Sequence, residues 1–296
     1  MTTMVWMSDR GEPVAAQDAK VSVFDRGFLY GDSVYETMRT AGGHPVELQR
    51  HLKRLHASAA GIGLSFSFSD TEIADAIDQT HRATGNEESY VRVVVSRGAG
   101  PIMLDPRSAE PMLVILVQPL ALPATALYTR GISAMVVDVV KSAGSGVDPG
   151  IKSGNYLPNI LALRQALASG ADDAIMRGED GAISEGATAN LFVVTDGMLV
   201  TPHLATGLLA GITRAAVCEL AAKLGVPLAE RRVDPSLLTQ ASEMFLTSSV
   251  RGIMPVTKLD GGAVGDGAVG PVTRRLIDAY GQYIDSWARG DDALRG

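Results

Sequence analysis

A chain of 296 residues with 46% hydrophobic and 20% charged side chains has the balance of a protein that buries a core, which excludes a disordered polymer. Its formal net charge of −7 offers no basic stripe against phosphate repulsion and excludes a general nucleic-acid binder. One cysteine, Cys218, excludes an internal disulfide and points to a reducing compartment, and its neighbours Ala216, Val217 and Leu220 read as helix packing.

Residues 1–10 lack the basic and apolar regions of a secretory signal, so a cytoplasmic protein is expected. Val21-Ser22-Val23-Phe24 alternates as a strand does and is broken by Asp25-Arg26-Gly27. Residues 34–40 predict a second strand, turned at Gly42-Gly43. Leu48, Leu52, Leu55 and Ala59 recur at helical spacing and form one buried stripe, ended by Gly61 and Gly63. Ser69-Asp70-Thr71-Glu72 is a capping box that opens a helix reaching Thr84. Residues 90–96 and 112–117 are rich in β-branched side chains and read as strands. The apolar run over residues 112–122 is interrupted by Gln118 and Pro119 and is too short to cross a bilayer, so no membrane partner is expected.

Pro119 and Pro123 discourage helix and central strand alike, which places a linker at residues 121–127. A domain of residues 1–120 precedes it and one of residues 128–296 follows. The second half opens with a strand over residues 132–140 and a Gly/Ser-rich stretch over 142–150. Pro158 suits the first turn of a helix with Ile160, Leu163 and Leu167 on one face. Residues 192–194 and 198–200 make a hairpin around Asp196-Gly197. Residues 213–224 form a helix, and Leu276, Tyr280, Tyr283 and Trp287 mark a last one.

Lys152 stands alone in Gly150-Ile151-Lys152-Ser153-Gly154-Asn155-Tyr156, the nearest basic side chains being Lys141 and Arg164. A lysine that forms a Schiff base needs such a low-charge, open setting in which to give up a proton. Glu185, set among small residues in Ser184-Glu185-Gly186-Ala187, suits a pyridinium nitrogen that must stay protonated, the pairing a pyridoxal phosphate enzyme requires. Gly211-Ile212-Thr213 runs into a helix whose first amides suit a phosphate, although Thr213 is also a plain helix cap. Arg54 lies beside the apolar stripe of its helix, where a solvated face and a phosphate-binding fork are both open. Thr247-Ser248-Ser249 is either a polar loop or a further set of phosphate hydroxyls. The histidines show no metal-ligand spacing, and no Rossmann, P-loop or hydrolase signature is present.

These segments resemble the class IV aminotransferases, the fold-type IV pyridoxal phosphate enzymes, over nearly the whole chain. The resemblance is strongest across residues 152–156, 185–192 and 211–214. It implies an α/β (α+β) fold of two domains, a small α/β N-terminal one and a larger pseudo-barrel one, acting as a homodimer. The active site would lie at the domain and subunit interface. It implies that Lys152 holds pyridoxal 5′-phosphate and shuttles a proton, that Glu185 pairs with the pyridinium nitrogen, and that Tyr156 donates to the phenolic oxygen. Arg54, Ile212, Thr213 and Ser249 would bind the phosphate, and Leu209 would pack on the ring.

Tyr90-Val91-Arg92 is similar to the segment that receives the substrate carboxylate in branched-chain aminotransferases, and Tyr30, Tyr35, Leu104 and Val250 match pocket walls. Leu104 would sit in a loop lent to the partner subunit. Ile102 and Leu104 stand where D-amino acid aminotransferases carry a carboxylate trap of arginine and histidine. Thr37 departs from the glycine usual in branched-chain enzymes and is similar to the aminodeoxychorismate lyases. Val250 and Arg251 look bulkier than usual and imply either a narrower pocket or acceptance of different amino donors. The resemblance therefore implies transfer of an amino group between an apolar L-amino acid and 2-oxoglutarate. A lyase, or a D-amino acid or (R)-amine transaminase, is the alternative.

Overall fold

Strict alternation builds the first sheet. In β5 (Ser89–Ser96) Val91, Val93 and Val95 are fully buried, while Tyr90, Arg92 and Val94 are half-buried on the other face. The computed structural model describes residues 2–141, 148 and 150–290. The chain falls into two compact units, the first made of Met1–Ala121, Ile151–Asn155 and Ile284–Gly296, the second of Leu122–Gly150 and Tyr156–Tyr283.

The first unit also contains β1 (Met4–Met7), β2 (Pro13–Ala15), β3 (Ser33–Ala41), β4 (His44–Pro45) and β6 (Met112–Pro119). They form an antiparallel sheet in the order β2-β1-β6-β5-β3-β4. Helices α2 (Leu48–Gly61) and α3 (Asp70–Thr84) cover one face, packing Leu52, Leu55, Ile73 and Ile77 on Val34, Met38, Val91 and Val93. The capping box at Ser69 and Glu72 starts α3 as its sequence predicts. The strand expected at residues 21–24 is absent. Ser22 Oγ accepts the Phe24 amide at 3.1 Å and the Ser22 carbonyl accepts the Asp25 amide at 2.9 Å, so the segment closes into a turn. Asp25 then caps the short α1 (Arg26–Tyr30).

Residues 151–155 belong to the first unit although they follow β7 (Ile132–Lys141) of the second in sequence. The prolines near residue 120 flank elements instead of interrupting them. Pro119 ends β6, and α4 (Thr125–Arg130) begins two residues past Pro123, inside the stretch expected as a linker.

The second unit holds β7, β8 (Asp173–Gly178), β9 (Ile183–Gly186), β10 (Asn190–Thr195), β11 (Met198–Pro202), β12 (Leu228–Arg231), β13 (Glu243–Ser248), β14 (Gly252–Leu259) and β15 (Gly262–Ala263). They form one mixed nine-stranded sheet ordered β12-β11-β10-β13-β14-β7-β8-β9, with β15 on β14. Asp196 and Gly197 both take positive φ (50° and 74°), the left-handed pair that a tight hairpin between β10 and β11 requires. Its helices are α4, α5 (Leu157–Ala168), α6 (Ile212–Lys223) and α7 (Pro235–Thr239), and α8 (Pro271–Arg289) ends the described chain. On α8 the buried stripe is Leu276, Tyr280, Ile284 and Trp287, with Ile284 in the place expected for Tyr283. Most of the Gly/Ser-rich stretch at 142–150 lies outside the described residues.

Of the three apolar residues expected on one face of helix α5, Leu163 packs against the core and the other two do not. Ile160 and Leu167 are 58% and 57% exposed, and Ala162 and Ala166 are fully buried against Val137, Ala174 and Met176. Small side chains let the helix lie close to β7 and β8, which the larger apolar residues on its other face would prevent. Replacing Ala166 with leucine is expected to overpack this seam and lower the unfolding free energy by about 1–3 kcal/mol in urea titration. A loss below a few tenths would refute the close packing.

Candidate active site

Strand β3 presents chemistry on both faces. Glu36 points the same way as Val34 and Met38, into the apolar side of the first sheet, and is fully buried. A carboxylate there needs partners, and α2 supplies them. Arg54 donates from Nε to Oε1 and from Nη2 to Oε2, both at 2.7 Å, a bidentate fork. His51 Nδ1 lies 2.6 Å from Oε2. Burial by itself raises the Glu36 carboxyl, but the hydrogen bonds from Arg54 and His51 outweigh it and bring it down to about 2. Burial pushes the His51 ring down, against the pull of Glu36, so at neutral pH the imidazole is neutral and its Nδ1 carries the proton given to the carboxylate. Sequence reading placed Arg54 beside the stripe and passed over Glu36 and His51. The signal was a single charge on the apolar parity of β3.

The opposite face carries Tyr35, Thr37, Tyr90 and Arg92, with Thr37 directly across from Arg92 in the ladder. Residues 151–155 are tied to the free edge of the N-terminal half of β3. Tyr35 N donates to the Lys152 carbonyl (3.0 Å), Gly154 N to the Ser33 carbonyl (2.8 Å), and Lys152 N to Ser58 Oγ on α2 (3.1 Å). Ile151 seals the join, for a Cβ on Gly61 would lie 2.5 Å from its Cδ1. Lys152 Nζ then sits 4.5 Å from the centre of the Tyr35 ring, and Arg92 Cζ sits 3.9 Å from it. One aromatic ring thus serves two cations, an amine and a guanidinium, within cation–π range. That pairing places an amine close to a guanidinium, a group whose geometry suits a carboxylate. Tyr30 closes α1, and Leu104 stands 81% exposed in a loop before β6.

In the second unit Glu185 is buried on β9. Its Oε2 accepts the Leu209 amide at 3.1 Å and Asn190 Nδ2 at 3.2 Å. Asn190 Nδ2 also donates to the Leu209 carbonyl at 2.9 Å, so it fastens residue 209 beside the carboxylate. A Cβ on Gly211 would meet Asn190 Oδ1 at 1.8 Å, which makes glycine a packing requirement at the start of α6. Among the described residues no side chain caps that helix, and Ile212 and Thr213, its first residues, are buried. Ser249 and Val250 lie half-buried in the turn between β13 and β14, and Tyr156 stands at the start of α5. Arg251 is tied within the second unit. Its Nη1 donates to Asp173 on β8 at 2.8 Å. Asn190 is the residue of this cluster that sequence reading left without a role.

Comparison with known proteins follows the same segments. A family model for amino-transferase class IV matches residues 33–259. A putative branched-chain-amino-acid aminotransferase of Methanocaldococcus jannaschii is 34% identical over 94% of this chain and 96% of its own. The crystal structure of the Escherichia coli branched-chain amino acid aminotransferase superposes with a TM-score of 0.89 at 31% identity, covering 97% of this chain and 96% of that one. The T.th. branched-chain amino acid aminotransferase, in a crystal structure with pyridoxamine 5′-phosphate, gives a TM-score of 0.90 at 28% identity, covering 97% and 95%.

The buried network makes stability acid-sensitive with a defined order. His51, lowered in the fold from an ordinary 6.5, destabilises the chain as pH falls below that value, because the unfolded imidazole takes up a proton that the fold resists. Glu36, lowered from 4.5 to about 2, adds its loss only as pH falls below 4.5 toward 2. His51→Asn keeps a donor for Glu36 and is expected to flatten the fall in Tm just below pH 6.5. An unchanged slope there would count against the assignment. Glu36→Ala leaves a mostly buried guanidinium without this carboxylate and should cost about 3–5 kcal/mol in denaturant unfolding.

Proposed function

From the premise that this chain belongs to the class IV aminotransferase family and is a pyridoxal-phosphate-dependent transaminase, we propose that it moves an amino group between an apolar, branched-chain L-amino acid and 2-oxoglutarate. The observation that carries this reading is the Tyr35 ring holding Lys152 and Arg92 together on one face of the first unit. Relatives named as branched-chain aminotransferases support the substrate class.

The second unit fits the coenzyme. Among the described residues no side chain caps the start of α6, and none gives a hydrogen-bond partner to the buried Thr247 hydroxyl, across the ladder from Asn190. Glu185 is a buried carboxylate already oriented by two donors. Arg54, Ile212, Thr213 and Ser249 hold the phosphate in this reading, Leu209 packs on the ring, Tyr156 donates to the phenolic oxygen, and Glu185 holds the ring nitrogen protonated. The coenzyme supplies an aldehyde and an electron sink. Lys152 would hold it and would move the proton at the substrate α-carbon. Arg92 grips the α-carboxylate, and Tyr30, Tyr35, Tyr90, Leu104 and Val250 bound the side chain.

The protein acts as a homodimer in this reading. Two apolar surfaces support it, each described within its own unit. Phe24, Phe28, Ile102 and Leu104 are 50–81% exposed on the first, and Leu157, Ile160, Leu161 and Leu167 are 44–64% exposed along α5 on the second. A thiol at Cys218 that burial pushes up to about 11 stays protonated, in keeping with the cytoplasm.

Thr37 favours one second reading. Its place opposite Arg92 puts a hydroxyl on the lysine-bearing face, which suits elimination from aminodeoxychorismate. Assays with L- and D-amino acids and with aminodeoxychorismate, each with and without 2-oxoglutarate, separate the two. Keto acid beyond one equivalent per active site is expected from L-donors only when 2-oxoglutarate is present. Release of 4-aminobenzoate and pyruvate without an acceptor would sink the transaminase substrate assignment. Arg92→Ala should lower kcat/KM by about 10- to 100-fold, the worth of a charge-assisted contact. Lys152→Ala should lose the covalent adduct that borohydride otherwise fixes.

A further inference from the structure

We propose that Arg26 is a positioning residue that sets the conformation of the loop over residues 102–105 and, through it, how Leu104 bounds the substrate side chain. This rests on the reading of Leu104 as a pocket wall. Arg26 is 4% exposed, at the first position of α1. Its guanidinium faces successive main-chain carbonyls of that loop. Nη1 donates to the Met103 carbonyl at 2.6 Å and reaches the Asp105 carbonyl at 3.5 Å, and Nη2 donates to the Leu104 carbonyl at 3.2 Å. Drawing these carbonyls inward turns the side chains out, and Ile102, Met103 and Leu104 are 68%, 51% and 81% exposed.

The guanidinium is itself fixed from behind. Its Nε donates to Asp32 Oδ2 at 3.1 Å, and the same oxygen accepts Arg97 Nε at 2.7 Å. Arg97 holds the carbonyls of Ile62 and Gly63, each at 2.9 Å, just past α2. The stem of the loop is closed independently, by Arg26 N on the Gly98 carbonyl and Gly100 N on the Phe24 carbonyl. At Gly98, with φ of +88°, a Cβ would lie 1.7 Å from the Glu110 carbonyl oxygen, so the two ends of the loop touch there. Stem and tip therefore have separate ties: the stem uses the Arg26 main chain, and the tip uses its guanidinium, which also lies 5.1 Å from the centre of the Tyr30 ring. A planar fork with donors in fixed directions can serve these carbonyls and one carboxylate together, and a lysine ammonium cannot.

The test compares Arg26→Lys, Asp32→Asn, Leu104→Ala and the double variant Arg26→Lys with Leu104→Ala, each as the coenzyme-loaded enzyme. Two readouts are taken: hydrogen exchange of the peptide spanning residues 102–105, and the ratio of kcat/KM for leucine over 2-aminobutyrate. Arg26→Lys and Asp32→Asn are expected to speed exchange in that peptide at least tenfold. They should lower the ratio severalfold, toward that of Leu104→Ala, and the double variant should fall no further than Leu104→Ala alone. Should Arg26→Lys misfold, Asp32→Asn carries the same expectation. Unchanged exchange overturns the proposal. So does faster exchange with an unchanged ratio while Leu104→Ala moves it. If Leu104→Ala leaves the ratio unmoved, the pocket-wall reading fails, and with it the effect on selectivity, whatever the exchange shows.

Discussion

A charged carboxylate inside an apolar layer is the constraint that organises the first unit. Glu36 is stable on the core face of β3 because α2 delivers an arginine fork and a neutral histidine to it. The helix is held in turn, since Arg54 and His51 reach the carboxylate only when Leu52 and Leu55 seat against the sheet. Packing and electrostatics thereby select one rotation of α2. The same helix offers Ser58 to the Lys152 amide, so the register fixed by the buried charges also fixes where the lysine enters. A buried ion pair is weak evidence for stability, but it is an effective device for specifying one arrangement.

The second unit solves a different problem with similar means. Its carboxylate, Glu185, is oriented by an amide nitrogen and a side-chain amide, with Asn190 linking it to the segment that leads into α6. Gly211 is needed because Asn190 occupies the space a side chain would take. The helix start that remains is uncapped by any side chain among the described residues, a ready arrangement for an anion.

Much of this was legible in the chain. β-Branched side chains marked β5 and β6, helical spacing marked α2, and the residues around Lys152, Glu185 and Gly211 carried the family. What escaped had a common cause. Hydrogen bonds between distant segments leave no periodic trace, so the pull of Arg26 on the residue 103–105 carbonyls and of Asn190 on Leu209 could not be seen. At residues 21–24 alternation misled, because a serine hydroxyl captured a nearby amide before a ladder could form. On α5 apolar spacing identified the helix but not its inner face, since two alanines set the depth of packing.

The loop before β6 is gripped by its main-chain carbonyls, which every amino acid presents in nearly the same way. Its shape and its side-chain identity are therefore separable properties. Drift at positions 102 and 104 can alter size, polarity or charge at the tip while the scaffold stays as it is. A fold built like this can acquire new preferences through single codon changes, without first passing through a collapsed or misdirected loop.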